Sequence, residues 1–148
     1  MSARSDLPYL AGLFDGEGTI SLGRRGRGVG LKVMVEMTDR EGVDAFAQCF
    51  GGKTKILARR TKGRRIIYRW TATGQSASGP LRRLLPYLRV KHEQAQVALE
   101  YLAWWGVGHQ GIRSTELQKV RENEFHSELK RLKVPGETLE QGDDKSAE

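Results

Sequence analysis

Two acids one residue apart, Asp15 and Glu17, are the side chains of this sequence best placed by type and spacing to do chemistry. They close the string Leu10, Ala11, Gly12, Leu13, Phe14, Asp15, Gly16, Glu17, Gly18, which opens as an apolar, small-residue helix and ends in acids and glycines. A carboxylate at a helix C-terminus opposes the dipole there, because the last carbonyls already carry partial negative charge. Two acids at that end point to a cation that neutralises them. Carboxylate oxygens are hard ligands that suit Mg²⁺, which takes few of them and keeps several waters. The structural alternative is that Asp15 and Glu17 cap the following turn. For Asp15, hydrogen bonding at the helix end and direct ligation stand equal.

The remainder of the chain is basic. Its 148 residues hold 25 Lys and Arg against 18 Asp and Glu, a formal charge of +7. The last thirteen residues contain five acids and one lysine, net −4, which leaves +11 on residues 1–135. That excess favours a polyanionic partner, and acids that hold a metal in a basic protein point to nucleic-acid chemistry. No basic amphipathic helix or lipidation signal favours a membrane surface instead, and no run is long enough to span a bilayer. Cys49 is the only cysteine, so an intrachain disulfide and a zinc cluster are both excluded. Its apolar helical surroundings read as a buried thiol. His109 and His126 have no partners at metal-ligand spacing, and His92 reads as a surface residue. These features describe an intracellular protein of the cytoplasm, nucleoid or an organelle matrix, without a membrane or small-molecule substrate.

The elements that would position the acids follow from periodicity. Asp6 and Pro8 start a helix over 7–15. Gly12 and Gly16 share one face of it, where small side chains admit another helix more closely than the usual ~8–10 Å, from a second subunit or from the same one. A strand over 19–23, the basic loop 24–28 and a strand over 29–37 come next. In the latter, Val29, Leu31, Val33, Val35 and Met37 alternate with polar positions. Thr38 or Asp39 caps a helix over 40–50. A second hairpin, 53–60 and 65–73, places Ile66, Tyr68, Trp70 and Ala72 on its core side and basic residues on the solvent side. Helices over about 80–85, 91–105 and 115–132 complete the chain, the last with Leu117, Val120, Phe125, Leu129 and Leu132 semi-periodic. Helix, two strands, helix, two strands and helices make an α+β fold with an antiparallel sheet and helices on one side. One domain over 1–132 is expected, with a core over 7–105, a helical extension over 106–132 and a disordered acidic tail over 133–148.

The string LAGLFDGEG resembles the LAGLIDADG motif of homing endonucleases at six of nine positions, with Phe14, Gly16 and Glu17 replacing Ile, Ala and Asp. The resemblance covers about residues 7–105. It implies the αββαββα homing-endonuclease fold, with a saddle-shaped sheet lying on DNA, and site-specific cleavage of double-stranded DNA by metal-dependent hydrolysis, with Mg²⁺ or another divalent ion such as Mn²⁺. By resemblance Glu17 is the metal ligand, joined by the backbone carbonyl of Gly16, and Lys91 in the stretch Leu84 to Gln94 is the basic residue beside the scissile phosphate. A solvated lysine in a helix's first turn is the plainer reading of Lys91. At the start of the second helix the family typically has Gln; this chain has Asp39.

One copy of the motif appears, so a two-acid centre requires a homodimer on a near-palindrome, joined through Leu10, Ala11, Gly12, Leu13 and Gly16. Candidate DNA contacts are Arg24, Arg25, Arg27, Lys32, Lys53, Lys55, Arg59, Arg60, Lys62, Arg64, Arg65 and Arg69, some holding phosphates and some reading bases in the major groove. A strand of about eight residues reaches ~26 Å, or roughly eight base pairs. The rival expectation is a non-cleaving nucleic-acid binder on the same scaffold, an intron-splicing maturase or a transcriptional regulator. A basic interaction module without DNA fits the alternating sheet less well.

Overall fold

Pro8 lies in the first turn of helix α1 (Leu7–Glu17), where its missing N–H leaves no helical bond unmade. The computed structural model describes residues 6–25, 28–57, 65–106 and 116–133. Helix α1 runs two residues beyond the expected 7–15, because Gly16 keeps helical geometry and the helix stops only where the Gly18 N–H donates to the Phe14 carbonyl. From Gly18 the chain passes without a loop into strand β1 (Gly18–Arg25). Strand β2 (Gly28–Met37) pairs antiparallel with it, from Gly18 opposite Val35 to Arg25 opposite Gly28. The acidic end of α1 is thus welded to the edge of a sheet.

Helix α2 (Arg40–Phe50) follows, then β3 (Lys55–Leu57) and β4 (Ile67–Thr73). A short 3-10 turn leads into α3 (Ser78–Leu84), a second 3-10 turn covers Leu85–Tyr87, and α4 (His92–Gly106) and α5 (Glu116–Lys133) close the fold. The sheet has strand order β1-β2-β4-β3, with every pairing antiparallel. This is the expected α+β architecture with its order of elements intact.

The alternation in β2 sets the layers. Leu31, Val33 and Val35 are buried, as are Ile20 and Leu22 of β1 and Trp70 and Ala72 of β4. They meet Leu10, Ala11 and Phe14 of α1 and Val43 and Phe46 of α2. The Phe46 ring lies 5.5 Å from the Trp70 ring and 6.4 Å from that of Phe14. The indole N–H of Trp70 donates to the Gly51 carbonyl at 2.8 Å. Gly51 has φ +89°, a conformation that favours glycine and lets α2 end where Trp70 needs an acceptor.

Four expectations need correction. Strand β3 begins at Lys55 rather than at residue 53, residues 58–60 of the expected strand lie outside the described residues, and Ile56 on its core side is 54% exposed in this edge strand. Ile66, placed on the core side of the second hairpin, is 48% exposed and precedes β4. In α5, Leu117 and Val120 face solvent at 82% and 54%, and the buried residues are Glu122, Phe125 and Leu129. The phenol of Tyr101 packs near Glu122, and burial first, then that carboxylate, pushes it up to about 12. Asp39 is the N-cap of α2 but makes no side-chain cap bond. The expected tail lies outside the described residues except Lys133, which belongs to α5.

The join between α1 and β1 is also the tightest packing near the acids. A Cβ added at Gly18 would sit 2.4 Å from the Phe14 ring, which is fully buried and has nowhere to move. Gly18→Ala is therefore expected to cost about 1–3 kcal/mol through overpacking. In urea this is a midpoint shift of roughly 1 M at ordinary slopes. An unshifted midpoint would mean that the ring yields without penalty.

Candidate active site

The C-terminal turn of α1 carries both acids, and the structure gives them different work. The Asp15 carboxylate is half-buried and spans two backbone donors: Oδ2 accepts from the Arg89 N–H at 2.9 Å and Oδ1 from the Lys91 N–H at 2.9 Å. The ammonium of Lys91 in turn donates to the Asp15 main-chain carbonyl at 2.6 Å. These three bonds fasten the end of α1 to the segment before α4 and satisfy an orphan carbonyl of the helix. Asp15 does the hydrogen-bonding work weighed in the sequence reading, although its partners lie across the fold rather than at its own helix end. Each carboxylate oxygen thus already faces one backbone donor.

Glu17 is exposed, and its side chain makes no hydrogen bond or ion pair among the described residues. Beside it the Gly16 carbonyl has no helical successor, since its i+4 partner would be Ile20 in β1. An exposed carboxylate and a carbonyl without a helical partner thus stand side by side in the chain at the end of α1. No group of three or more His, Cys, Asp or Glu able to hold a metal occurs among the described residues. The donor set of one protomer is therefore thin, and it suits a cation that keeps most of its waters.

Asp15 and Glu17 should respond differently to removal of charge. Asp15→Asn replaces one acceptor with an NH₂ group facing a backbone N–H, and a hydrogen bond to a charged group contributes about 1.5–3 kcal/mol. Urea titration is expected to show a loss in that range for Asp15→Asn. Equal, small effects for this variant and Glu17→Gln would show that the fastening of residues 89–91 contributes little.

Sequence reasoning did not find the Asp15 bonds, and it could not have done so from local pattern, because the donors lie 74 and 76 residues away. It also missed an ion pair. Register places Arg69 opposite both Glu36 and Lys55 on the outer face of the sheet. The Arg69 guanidinium is bound to the Glu36 carboxylate through both a hydrogen bond and a salt bridge. Of the candidate DNA contacts, Lys32, Lys55 and Arg69 share this outer face by register. Lys53 and Arg65 are exposed just outside the strands. Arg24 and Arg25 belong to β1, whereas Arg27, Arg59, Arg60, Lys62 and Arg64 lie outside the described residues.

The proposed interface residues divide as well. Leu10 and Ala11 are fully buried inside the protomer and serve its own core. Gly12 and Gly16 are exposed, and a Cβ added at either meets nothing within 4 Å. Leu13 is half-buried and Tyr9 is 57% exposed.

The sequence of the chain matches the LAGLIDADG-like domain family over residues 5–101, and the matched stretch contains both acids and Lys91. The chain belongs to the LAGLIDADG-like family. No curated protein sequence matches it. Among solved structures, this LAGLIDADG-like fold is similar to the homing endonuclease I-CvuI in complex with a DNA target, with TM-score 0.70 and 18% identity over 90% of this chain and 85% of that one. It is similar also to the archaeal intron-encoded homing endonuclease I-Vdi141I complexed with DNA, with TM-score 0.68 and 15% identity over 89% and 86% of the two chains. A third similar structure is the homing endonuclease I-SmaMI bound to cleaved DNA, with TM-score 0.60 and 18% identity. That match covers 95% of this chain and 48% of I-SmaMI, so the LAGLIDADG-like chain spans about half its length. No helix among the described residues is long and apolar enough to cross a membrane.

Proposed function

We propose that this LAGLIDADG-like protein is a site-specific endonuclease that cuts double-stranded DNA as a homodimer with Mg²⁺ or a similar divalent ion. One observation carries the reading. Asp15 locks the segment that bears Lys91 against the end of α1, so a lysine ammonium is held within two residues of Glu17, an exposed carboxylate without a partner among the described residues.

The donor set fits the ion conditionally. Glu17 and the Gly16 carbonyl would hold it, and two protomers meeting at Gly12 and Gly16 would bring two such sets together on a symmetry axis. When bound, the ion supplies a Lewis acid and an activated water for phosphodiester hydrolysis. The chain's own residues do the rest. Lys91, held by Asp15, presents positive charge where negative charge develops on the phosphate. Lys32 and Lys55, with the basic residues flanking the strands, meet the backbone of the duplex. The Glu36–Arg69 pair offers an acceptor beside a partly neutralised donor, a combination suited to base edges rather than phosphates. The reading is supported by the DNA complexes among the similar structures.

The test is a duplex library incubated with the purified protein and Mg²⁺, with EDTA as control, followed by sequencing of the ends produced. Recurrent ends that need the ion support an endonuclease. Retention of a subset of duplexes without any cut ends would identify a non-cleaving binder of the maturase or regulator kind.

A further inference from the structure

Gln94 is 8% exposed, one of two buried polar side chains among the described residues, the other being Glu122. It lies in the first turn of α4. Gln94, Ala98 and Tyr101 fall at i, i+4 and i+7 and are all buried, so they form one inward stripe of the helix. Helix α5 packs alongside in the opposite direction. The Tyr101 ring lies 5.5 Å from that of Phe125, and Glu93 and Leu132 line one cleft at the other end of the pair. The amide of Gln75 donates to the Leu102 carbonyl at 3.1 Å, whereas that of Gln94 makes no hydrogen bond among the described residues.

Such a group destabilises a fold. A buried amide without partners costs free energy that a methionine in its place would not. Buried polar groups in folded proteins therefore find a protein partner or an ordered water. The polar residue next to Gln94 along the inward side of α4 is Lys91, one helical turn earlier. The Lys91 carbonyl accepts from the Ala95 N–H at 2.9 Å, which joins this lysine to the first turn of α4. Its ammonium has three N–H groups to place. One donates to the Asp15 carbonyl at 2.6 Å, and the other two have no acceptor among the described residues. Donors in surplus and an acceptor in surplus thus lie one turn apart.

We propose that an internal water molecule joins the two, accepting from the Lys91 ammonium and donating to the Gln94 side-chain oxygen, and that Gln94 is thereby a positioning residue for Lys91. A water brings a donor and an acceptor together, and it links polar groups that make no direct bond. The three N–H groups of the ammonium are then divided. One meets the Asp15 carbonyl, one the water, and the third is left for a phosphate oxygen. Held by Asp15 alone, the ammonium turns about a single hydrogen bond. A second tether fixes its direction, which is what stabilising charge at one phosphate requires. The inference rests on the reading of Lys91 as the basic residue beside the phosphate and deepens it.

Two measurements on the full chain test it, with wild type, Gln94→Met, Gln94→Glu, Lys91→Met and the distant control Lys119→Ala. Circular dichroism and urea titration confirm that all five fold. Gln94→Met, which removes the buried amide, is expected to unfold at or above the wild-type midpoint. The first measurement is NMR of glutamine-labelled protein, in which the side-chain amide signal that Gln94→Met deletes is that of Gln94. A cross-peak from this amide to a long-lived water is expected in the wild type and in Lys119→Ala, and its loss in Lys91→Met. No cross-peak, or one that survives Lys91→Met, overturns the bridge. The second is single-turnover cleavage at saturating duplex with Mg²⁺, beside duplex affinity with Ca²⁺. Gln94→Met is expected to slow cutting about 10-fold or more, as loss of an outer partner does at other sites, with affinity held within about twofold. Gln94→Glu keeps an acceptor oxygen and is expected to restore most of the rate. Wild-type cutting by Gln94→Met overturns the positioning role. A wild type that cuts no duplex overturns the endonuclease reading and that role together, whereas a protein that cuts without the cross-peak overturns this inference alone.

Discussion

Glu17→Gln is expected to lower cleavage by roughly 10³-fold or more and to leave DNA binding within about twofold. The substitution keeps the shape of the side chain and removes its charge. An amide offers a cation one neutral oxygen where the carboxylate offers a full negative charge. Loss of a partner that merely orients a metal ligand already costs ~10–100-fold, so loss of a ligand costs more, and in a homodimer both copies are lost together. Stability should move the other way. Glu17 stands at the C-terminus of α1, where a negative charge opposes the dipole, so its neutralisation is expected to stabilise the fold by about 0.3–1 kcal/mol. Initial rates on a duplex recovered from the library, together with a urea titration, check both halves. Cutting within tenfold of the wild type would place the ion elsewhere and end the assignment of Glu17.

The second large effect is on assembly. Gly12→Leu is expected to convert the proposed homodimer to a monomer without harm to the protomer. A Cβ at Gly12 meets nothing within 4 Å, and Leu is the better helix former by up to ~1 kcal/mol, so the isolated chain should melt no lower than the wild type. At a two-fold interface each substitution occurs twice. Overpacking of ~1–3 kcal/mol per side then weakens the dimer by ~2–6 kcal/mol, or roughly 30-fold to 10⁴-fold. Sedimentation over a concentration series reads the change directly. A dimer of unaltered affinity would show that the subunits meet through another surface.

How far the sequence reached depends on the range of the interactions concerned. The bounds of α2 were legible because its signals are local: an apolar stripe along it and Gly51 after it. The inner face of β2 was legible for the same reason, since alternation is a property of neighbours. Strand β3 was misjudged at its start and at Ile56, because alternation does not say whether anything covers the edge of a sheet. In α5 a buried Glu122 interrupts the apolar stripe, so the pattern drifted onto the exposed Leu117 and Val120. At the site, the motif string singled out both acids but not their division of labour. Asp15 owes its role to residues 89 and 91, and Arg69 owes its partner to the register between β2 and β4. Neither relation is written in the spacing of residues along the chain.

The fastening at Asp15 has a consequence for how the protein is made. Lys91 follows Asp15 by 76 residues, so a ribosome finishes the acidic end long before it reaches the lysine. A partial product, or one whose second half has come undocked, carries the carboxylates without the ammonium beside them. On the proposed reading as an endonuclease, such a copy lacks part of its site, so cutting is reserved for the finished fold.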